Sequence, residues 1–367
     1  MTYGDYPDLR GVKKILVVKL RQLGDVLLAT PVFSALRQQF PQAEIDAYVY
    51  SEAAVLLEGH PAVHAVLSCD RRWKKLGIFR RVFKELTLLA QIRRNSYDLV
   101  INLTEGDRGA AAAKVSGAPI RVGFNPKGGL LQRGVYTHIA KHCPSLRHTV
   151  ERNLDALRRL GIFPSHTARE LVLHVDADAL AKVKAIAGEG TFILIHPTSR
   201  WMFKCWSVDK MKMLAERLLA SGHRLIFTSG PDAREKDMLD QICAGLPVVN
   251  LAGQISLKEL IAFVYMCHKL VCVDSLPFHI ASAFKKPVAA LFGPTSEITW
   301  GPWRNPNAVV LTRDLPCRPC YQDGCGGSKV SECIIGLEVN RVLQSKIFTE
   351  IAAPRIAIGN ELVNSPC

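Results

Sequence analysis

Short apolar runs alternate with helical patterns along almost the whole chain. In the first half the runs are KILVVKL (14–20), EIDAYVY (44–50), HAVLSCD (64–70), YDLVINL (97–103) and IRVGF (120–124). In the second half they are TFILIHP (191–197), RLIFTSG (224–230), PVVNLAG (247–253), KLVCVDS (269–275) and PVAALFG (287–293). Strand-length runs separated by helical periodicity predict parallel sheets wrapped by helices, an α/β chain in which each set forms its own doubly wound sheet. Between the sets, TVERNLDALRRLGI (149–162) predicts a helix and FPSHTARE (163–170), which lacks periodicity, reads as a linker. This gives a first domain over 1–165, a second over 166–340 and a C-terminal segment over 341–367, with VNRVLQSKIFTEIA as its helical stretch.

Such sheets bind ligands beyond the carboxyl ends of their strands, so two of them opposed make a cleft lined by strand-to-helix loops. The loop after the first strand, KLRQLGDVLLATPVFSAL, holds a single glycine, Gly24. A dinucleotide fingerprint needs three, which argues against an NAD enzyme. Asp25 in that loop reads either as a helix cap or as a carboxylate able to take a proton from an attacking hydroxyl. In HPTSRWMFKCW (196–206), Thr198, Ser199, Arg200 and Lys204 form a donor cluster suited to phosphate. Trp201 and Trp206 could equally make it a loop packed on its domain. In CVDSLPFHIASAF (272–284), Asp274, Ser275 and His279 sit at a strand end and helix start, where backbone amides bind phosphate or ribose. Asp232 and Glu235 in TSGPDAREK offer contacts to a nucleoside, or acids complementing a helix dipole.

Composition narrows the setting. The formal charge is +14, and residues 1–165 carry 25 Lys/Arg against 14 Asp/Glu, so the first half should attract a polyanion. No apolar run approaches the roughly 18 residues of a membrane span, and the first residues lack a signal core. A cytoplasmic protein is expected, in keeping with eleven cysteines of which several lie among apolar neighbours. Cys317, Cys320, Cys325 and Cys333 have a spacing compatible with structural zinc, or are free thiols. Asp176 and Asp178 form one D-x-D triplet, read as a helix cap rather than a metal site.

Taken together, LGDVLLATP, HPTSRWMFKCW and VDSLPFH followed by LFGPTSEITWGP resemble the lipopolysaccharide heptosyltransferases of glycosyltransferase family nine, in order and spacing, over roughly 14–340. Within that family, LRQLGDVLLATP, DRRWKKLG and the cysteine cluster look most like the members that add the third, branching heptose. The alternatives are a first- or second-heptose step, or a nucleotide-sugar epimerase of the same architecture.

The resemblance implies a GT-B fold, an ADP-heptose donor, a lipopolysaccharide inner-core acceptor, inversion at the anomeric carbon and no essential metal. It implies Asp25 as the base, and Lys204 with Thr198 and Ser199 around the diphosphate. It also places Asp274, Ser275, Leu276 and His279 at the nucleotide sugar, although Leu276 stands where many members have glycine. From charge, Arg71, Arg72, Lys74, Lys75, Arg80, Arg81 and Lys84 are expected to meet acceptor phosphates and the anionic inner face of the cytoplasmic membrane, or to form a solvated face. No nucleic-acid recognition motif is present.

Overall fold

The computed structural model describes residues 6–124, 134–141, 143 and 145–349. The first sheet contains β1 (Lys14–Lys19), β2 (Glu44–Tyr50), β3 (Ala65–Cys69), β4 (Leu99–Asn102), β5 (Ile120–Phe124) and β6 (His138–Ala140). The second contains β7 (Ile193–His196), β8 (Leu225–Ser229), β9 (Val249–Ala252), β10 (Lys269–Val273), β11 (Val288–Leu291) and β12 (Ala308–Leu311). All ten expected strands form. Two short edge strands, β6 and β12, add to them.

Every pairing in both sheets is parallel. The orders are β3-β2-β1-β4-β5-β6 and β12-β11-β10-β7-β8-β9, which is one doubly wound order used twice. Parallel strands need crossover helices on both faces, which is why the central strands are apolar at nearly every position. Ile15, Leu16, Val17 and Val18 of β1 and Leu270, Val271, Cys272 and Val273 of β10 are all fully buried.

The main helices are α1 (Leu23–Leu27), α2 (Thr30–Gln39), α3 (Ile78–Arg94), α4 (Asp107–Ser116), α5 (Thr149–Arg158), α6 (Ala177–Ala187), α7 (Val208–Ala220), α8 (Ala233–Cys243), α9 (Leu257–Met266) and α10 (Leu276–Ala283). The expected C-terminal helix is instead two short ones, Val339–Leu343 and Lys346–Thr349, and the remainder of that stretch lies outside the described residues.

The stretch 163–170 is anchored on both sides. Ser165 Oγ donates to Gln38 Oε1 on α2 (2.8 Å), while Trp303 Nε1 donates to the Arg169 carbonyl (2.7 Å) and Lys285 pairs with Glu170 (2.6 Å). The start of α5 enters the second half directly. Thr149 Oγ1 donates to the Thr299 carbonyl (3.0 Å), and the His148 ring stacks on Trp303 at 4.6 Å. A further ion bridge, Glu58 to Lys258 to Asp176, joins the halves at 2.8 and 3.0 Å. Asp176 also caps α6 by accepting from the Ala179 amide (2.9 Å), so the D-x-D acid is structural as expected. Among the described residues no helix is long and apolar enough to cross a membrane.

Candidate active site

In a doubly wound sheet the ligand crevice opens where the strand order reverses, here between β1 and β4 and between β7 and β10. The loops leaving β1, β7 and β10 carry the residues that the sequence singles out.

On the second-half side the polar groups are mutually bonded. Lys204, in a 3-10 turn over Met202–Lys204, donates to Asp274 Oδ2 at 2.6 Å. The same carboxylate oxygen accepts from Thr295 Oγ1 at 2.6 Å. Thr198 Oγ1 donates to Glu235 Oε2 at 2.8 Å, and the Gly230 amide reaches that oxygen at 3.3 Å. A Cβ on Gly230 would lie 2.6 Å from Glu235 Oε1, so a larger residue there would push the Glu235 carboxylate from its place. Thr198, Ser199, Glu235 and Asp274 are buried. Ser199 Oγ accepts from the Trp201 amide (3.3 Å), which holds the turn that presents Lys204.

Ser275 occupies the cap position of α10 but makes no side-chain capping bond, its hydroxyl donating instead to the Val273 carbonyl (3.2 Å). Pro277 has no amide N–H and the Phe278 amide donates to the Ser275 carbonyl (3.2 Å), so the first turn of α10 offers the Leu276 amide to an anion. Leu276 has no left-handed backbone angle, so the position does not require a glycine. His279, in the first turn, is buried with Nδ1 lacking a hydrogen-bond partner. Burial holds its pKa down to about 4, so the imidazole is neutral at pH 7.

The first-half side is built around β1. Lys19, its last residue, is buried and donates to Asn153 Oδ1 (2.9 Å) and the Leu103 carbonyl (3.3 Å). Burial lowers its pKa to about 8, against the opposing attraction of nearby Asp25. Asp25 is not a helix cap. Gln22 holds the cap position of α1, and Asp25 stands half-buried in the first turn with no hydrogen-bond partner among the described residues. The two sides meet at the next residue back. A Cβ on Gly24 would lie 3.0 Å from His279 Cδ2, which brings the turn bearing Asp25 against α10. Arg200 NH1 also reaches across to Gln22 Oε1 (3.1 Å).

A carboxylate without a hydrogen-bond partner among the described residues, one residue from the contact with α10, across from the Lys204–Asp274 pair, is a layout that can serve displacement of a phosphorylated leaving group. Residues 86–330 match the family described as Glycosyltransferase family 9 (heptosyltransferase). Lipopolysaccharide heptosyltransferase 3 of Escherichia coli strain K12 is 34% identical over 293 residues, spanning 77% of this chain and 83% of that protein. The chain belongs to glycosyltransferase family 9.

The GT-B fold of this family 9 enzyme is shared with solved structures. ADP-heptose LPS heptosyltransferase II of E. coli superposes with a TM-score of 0.72 at 21% identity, covering 90% of this chain and 96% of that one. A family 9 glycosyltransferase from Veillonella parvula gives 0.73 at 23% identity, covering 82% and 85%.

Other expected site residues of the glycosyltransferase fall less centrally. Asp232 is exposed and caps α8, accepting from the Arg234 amide (3.0 Å), and bonding to Arg234 holds its carboxyl below the usual range. Its helix-terminal role is thus satisfied within its own helix. Trp206 is buried and donates to the Leu337 carbonyl (3.1 Å), whereas Trp201 is exposed under Arg200, so only the first packs as a core anchor.

Arg71 donates to Gln22 Oε1 (3.2 Å) and the Arg21 carbonyl (3.0 Å), tying its own turn to the loop before Asp25. Arg72 pairs with Asp70 (2.7 Å), and Lys74 and Lys75 are exposed. The four clustered cysteines do not supply a ligand set. Cys317 and Cys325 are exposed, Cys333 is buried, and among the described residues no group of three or more His, Cys, Asp or Glu is placed to hold a metal ion.

Lys19 and Thr295 are site residues that sequence patterns do not single out. A lysine closing an apolar strand, KILVVK, is the available signal for the first. Thr295 carries none, because its role arises only when the loop after β11 folds onto Asp274.

Proposed function

We propose that this enzyme transfers L-glycero-D-manno-heptose from ADP-heptose to the inner core of lipopolysaccharide, adding the third, branching heptose. The observation that carries the reading is the Asp25 carboxylate, which has no hydrogen-bond partner among the described residues and lies one residue from the contact with α10. The E. coli relative named heptosyltransferase 3 supports the step assignment.

In this mechanism an acceptor hydroxyl gives its proton to Asp25 as its oxygen bonds to the anomeric carbon. The bond from that carbon to the diphosphate breaks on the opposite face, inverting the centre, and ADP leaves. Lys204, held by Asp274, and the Leu276 amide at the start of α10 stabilise the charge that develops on the diphosphate. Thr198, Ser199 and Glu235 shape the floor beneath it, and no metal is required. Arg71, Arg72, Lys74 and Lys75 line the acceptor side, and the enzyme works at the inner face of the cytoplasmic membrane.

The test is incubation of the pure enzyme with ADP-heptose and lipopolysaccharides truncated before the first, second or third heptose, with product mass as the readout. Gain of one heptose only on the core lacking the branch supports the assignment. Gain on an earlier core moves the enzyme to that step, and no gain on any core defeats the reading.

A further inference from the structure

Helix α3 presents two apolar faces where packing requires one. Leu88 and Ile92 are buried in the first-sheet core, as an amphipathic helix demands. Its opening turns expose a second set: Ile78 is 63% accessible, Phe79 88%, Val82 45%, Phe83 71% and Leu86 60%. Spacings of one, four, five and eight residues place all five on a single stripe about 12 Å long. Arg80, Arg81 and Lys84 border it, and Arg72, Lys74 and Lys75 precede it on the same excursion from the sheet. The one acid from Arg71 to Arg94, Glu85, is bound by Arg108. An exposed apolar stripe in a cationic frame with no free acid is complementary to an anionic lipid surface, into which the aromatic and aliphatic tips sink while the cations meet head groups. A second copy of the same stripe would instead bring like charges together.

We infer that the stripe Ile78, Phe79, Val82, Phe83 and Leu86 is a bilayer-docking element that seats the enzyme on anionic membrane. Its position gives it a purpose. Arg71, a few residues before the stripe, holds Gln22 and the Arg21 carbonyl, so the docked helix is tied to the loop that carries Asp25. A lipid-anchored acceptor then enters the cleft from the surface on which the helix rests. This purpose rests on the function proposed above, but docking itself does not.

The experiment is co-sedimentation of the full chain with vesicles of phosphatidylcholine alone, or mixed in equal parts with phosphatidylglycerol. Wild type is expected to pellet with the mixed vesicles and not with phosphatidylcholine alone. Phe79→Asp with Phe83→Asp should weaken this at least about tenfold, because two large apolar side chains no longer leave water. Arg80→Gln with Lys84→Gln should weaken it less, and salt should weaken it further. The phenylalanine variant should keep the wild-type thermal midpoint, ADP affinity and transfer to a deacylated, water-soluble core oligosaccharide.

Absence of wild-type binding, or undiminished binding by the phenylalanine variant, overturns the inference. So does a wild-type dimer in sedimentation equilibrium that the phenylalanine variant dissociates, since the occupant is then a second copy. Vesicle binding by an enzyme inactive on every core leaves docking intact and removes only the proposed reaction.

Discussion

The two walls of the cleft handle charge differently. On the second-half wall the charged groups are paired, Lys204 on Asp274, Asp274 on Thr295 and Glu235 on Thr198, with the buried Nδ1 of His279 left unbonded. On the first-half wall the key carboxylate, Asp25, accepts no hydrogen bond from the described residues, and its neighbour Lys19 is buried and turned toward Asn153 and a carbonyl. A wall of paired groups is fixed before ligand arrives, which suits recognition of one donor and costs little reorganisation. A wall with an unengaged base leaves the proton-accepting position for the incoming hydroxyl. The asymmetry divides binding from proton transfer, and single substitutions can break one side at a time.

Removing the base should have the largest effect. Asp25→Asn keeps shape and loses proton affinity, so turnover is expected to fall by about 10²- to 10⁴-fold with ADP affinity unchanged. Stopped-flow or mass-based rates with calorimetric ADP titration separate the two. Retained turnover would remove Asp25 from the mechanism.

On the paired wall, Lys204→Ala should lower turnover by roughly 10²- to 10³-fold, the usual scale for losing one stabilising donor at a developing anion. Unlike Asp25→Asn it should also weaken ADP binding and lower the thermal midpoint, because Asp274 is left buried beside Thr295 alone. Equal ADP affinity in Lys204→Ala and wild type would mean that Lys204 serves only to satisfy Asp274.

Lys19 sharpens the comparison through pH. Its folded pKa, about 8, lies below the ordinary lysine value of 10.5, so between those limits the unfolded chain binds more protons than the native one. Stability from this group therefore rises as pH climbs from about 8 to 10.5, by on the order of 3 kcal/mol at most. Lys19→Met should abolish that rise in urea midpoints measured across the window. It should also cut turnover about tenfold, since the loop carrying Asp25 loses its cationic neighbour. Parallel pH curves for the two proteins would place the lysine in water.

Much of this arrangement is legible from residue order. Strand positions follow from apolar runs because parallel strands buried on both faces leave so few polar interruptions, and Asp25, Thr198, Lys204, Asp274 and His279 are reached as loop residues at strand ends. The short edge strands are not. His138–Ala140 has only three residues and Ala308–Leu311 is a four-residue apolar run between polar flanks, so neither stands out from loops, and each forms because a neighbouring strand offers its edge.

Partners are equally hidden. No local pattern reveals that Glu235 serves Thr198 from thirty-seven residues away, or that Asp176 bridges to Lys258. Nor does the C-x2-C spacing say that Cys317 and Cys325 are exposed while Cys333 is buried.

The seam between the walls allows a finer test at Gly24. Alanine at a helical glycine normally stabilises by about 0.5–1 kcal/mol through the backbone. Here the new methyl would sit 3.0 Å from His279 Cδ2 and 3.4 Å from Nε2, so the ring or α1 must retreat by a few tenths of an ångström. The ring is buried but its Nδ1 is unbonded, so it can tilt without breaking a hydrogen bond there. The two contributions should nearly cancel in the thermal midpoint of Gly24→Ala. Catalysis should still suffer a few-fold, because Asp25 moves relative to α10 and proton transfer is sensitive to such displacement. A His279→Ala background empties the space that the methyl needs, so adding Gly24→Ala there should cost nothing further. If the two losses instead multiply, the contact at the seam does not set the position of Asp25, and the walls act independently.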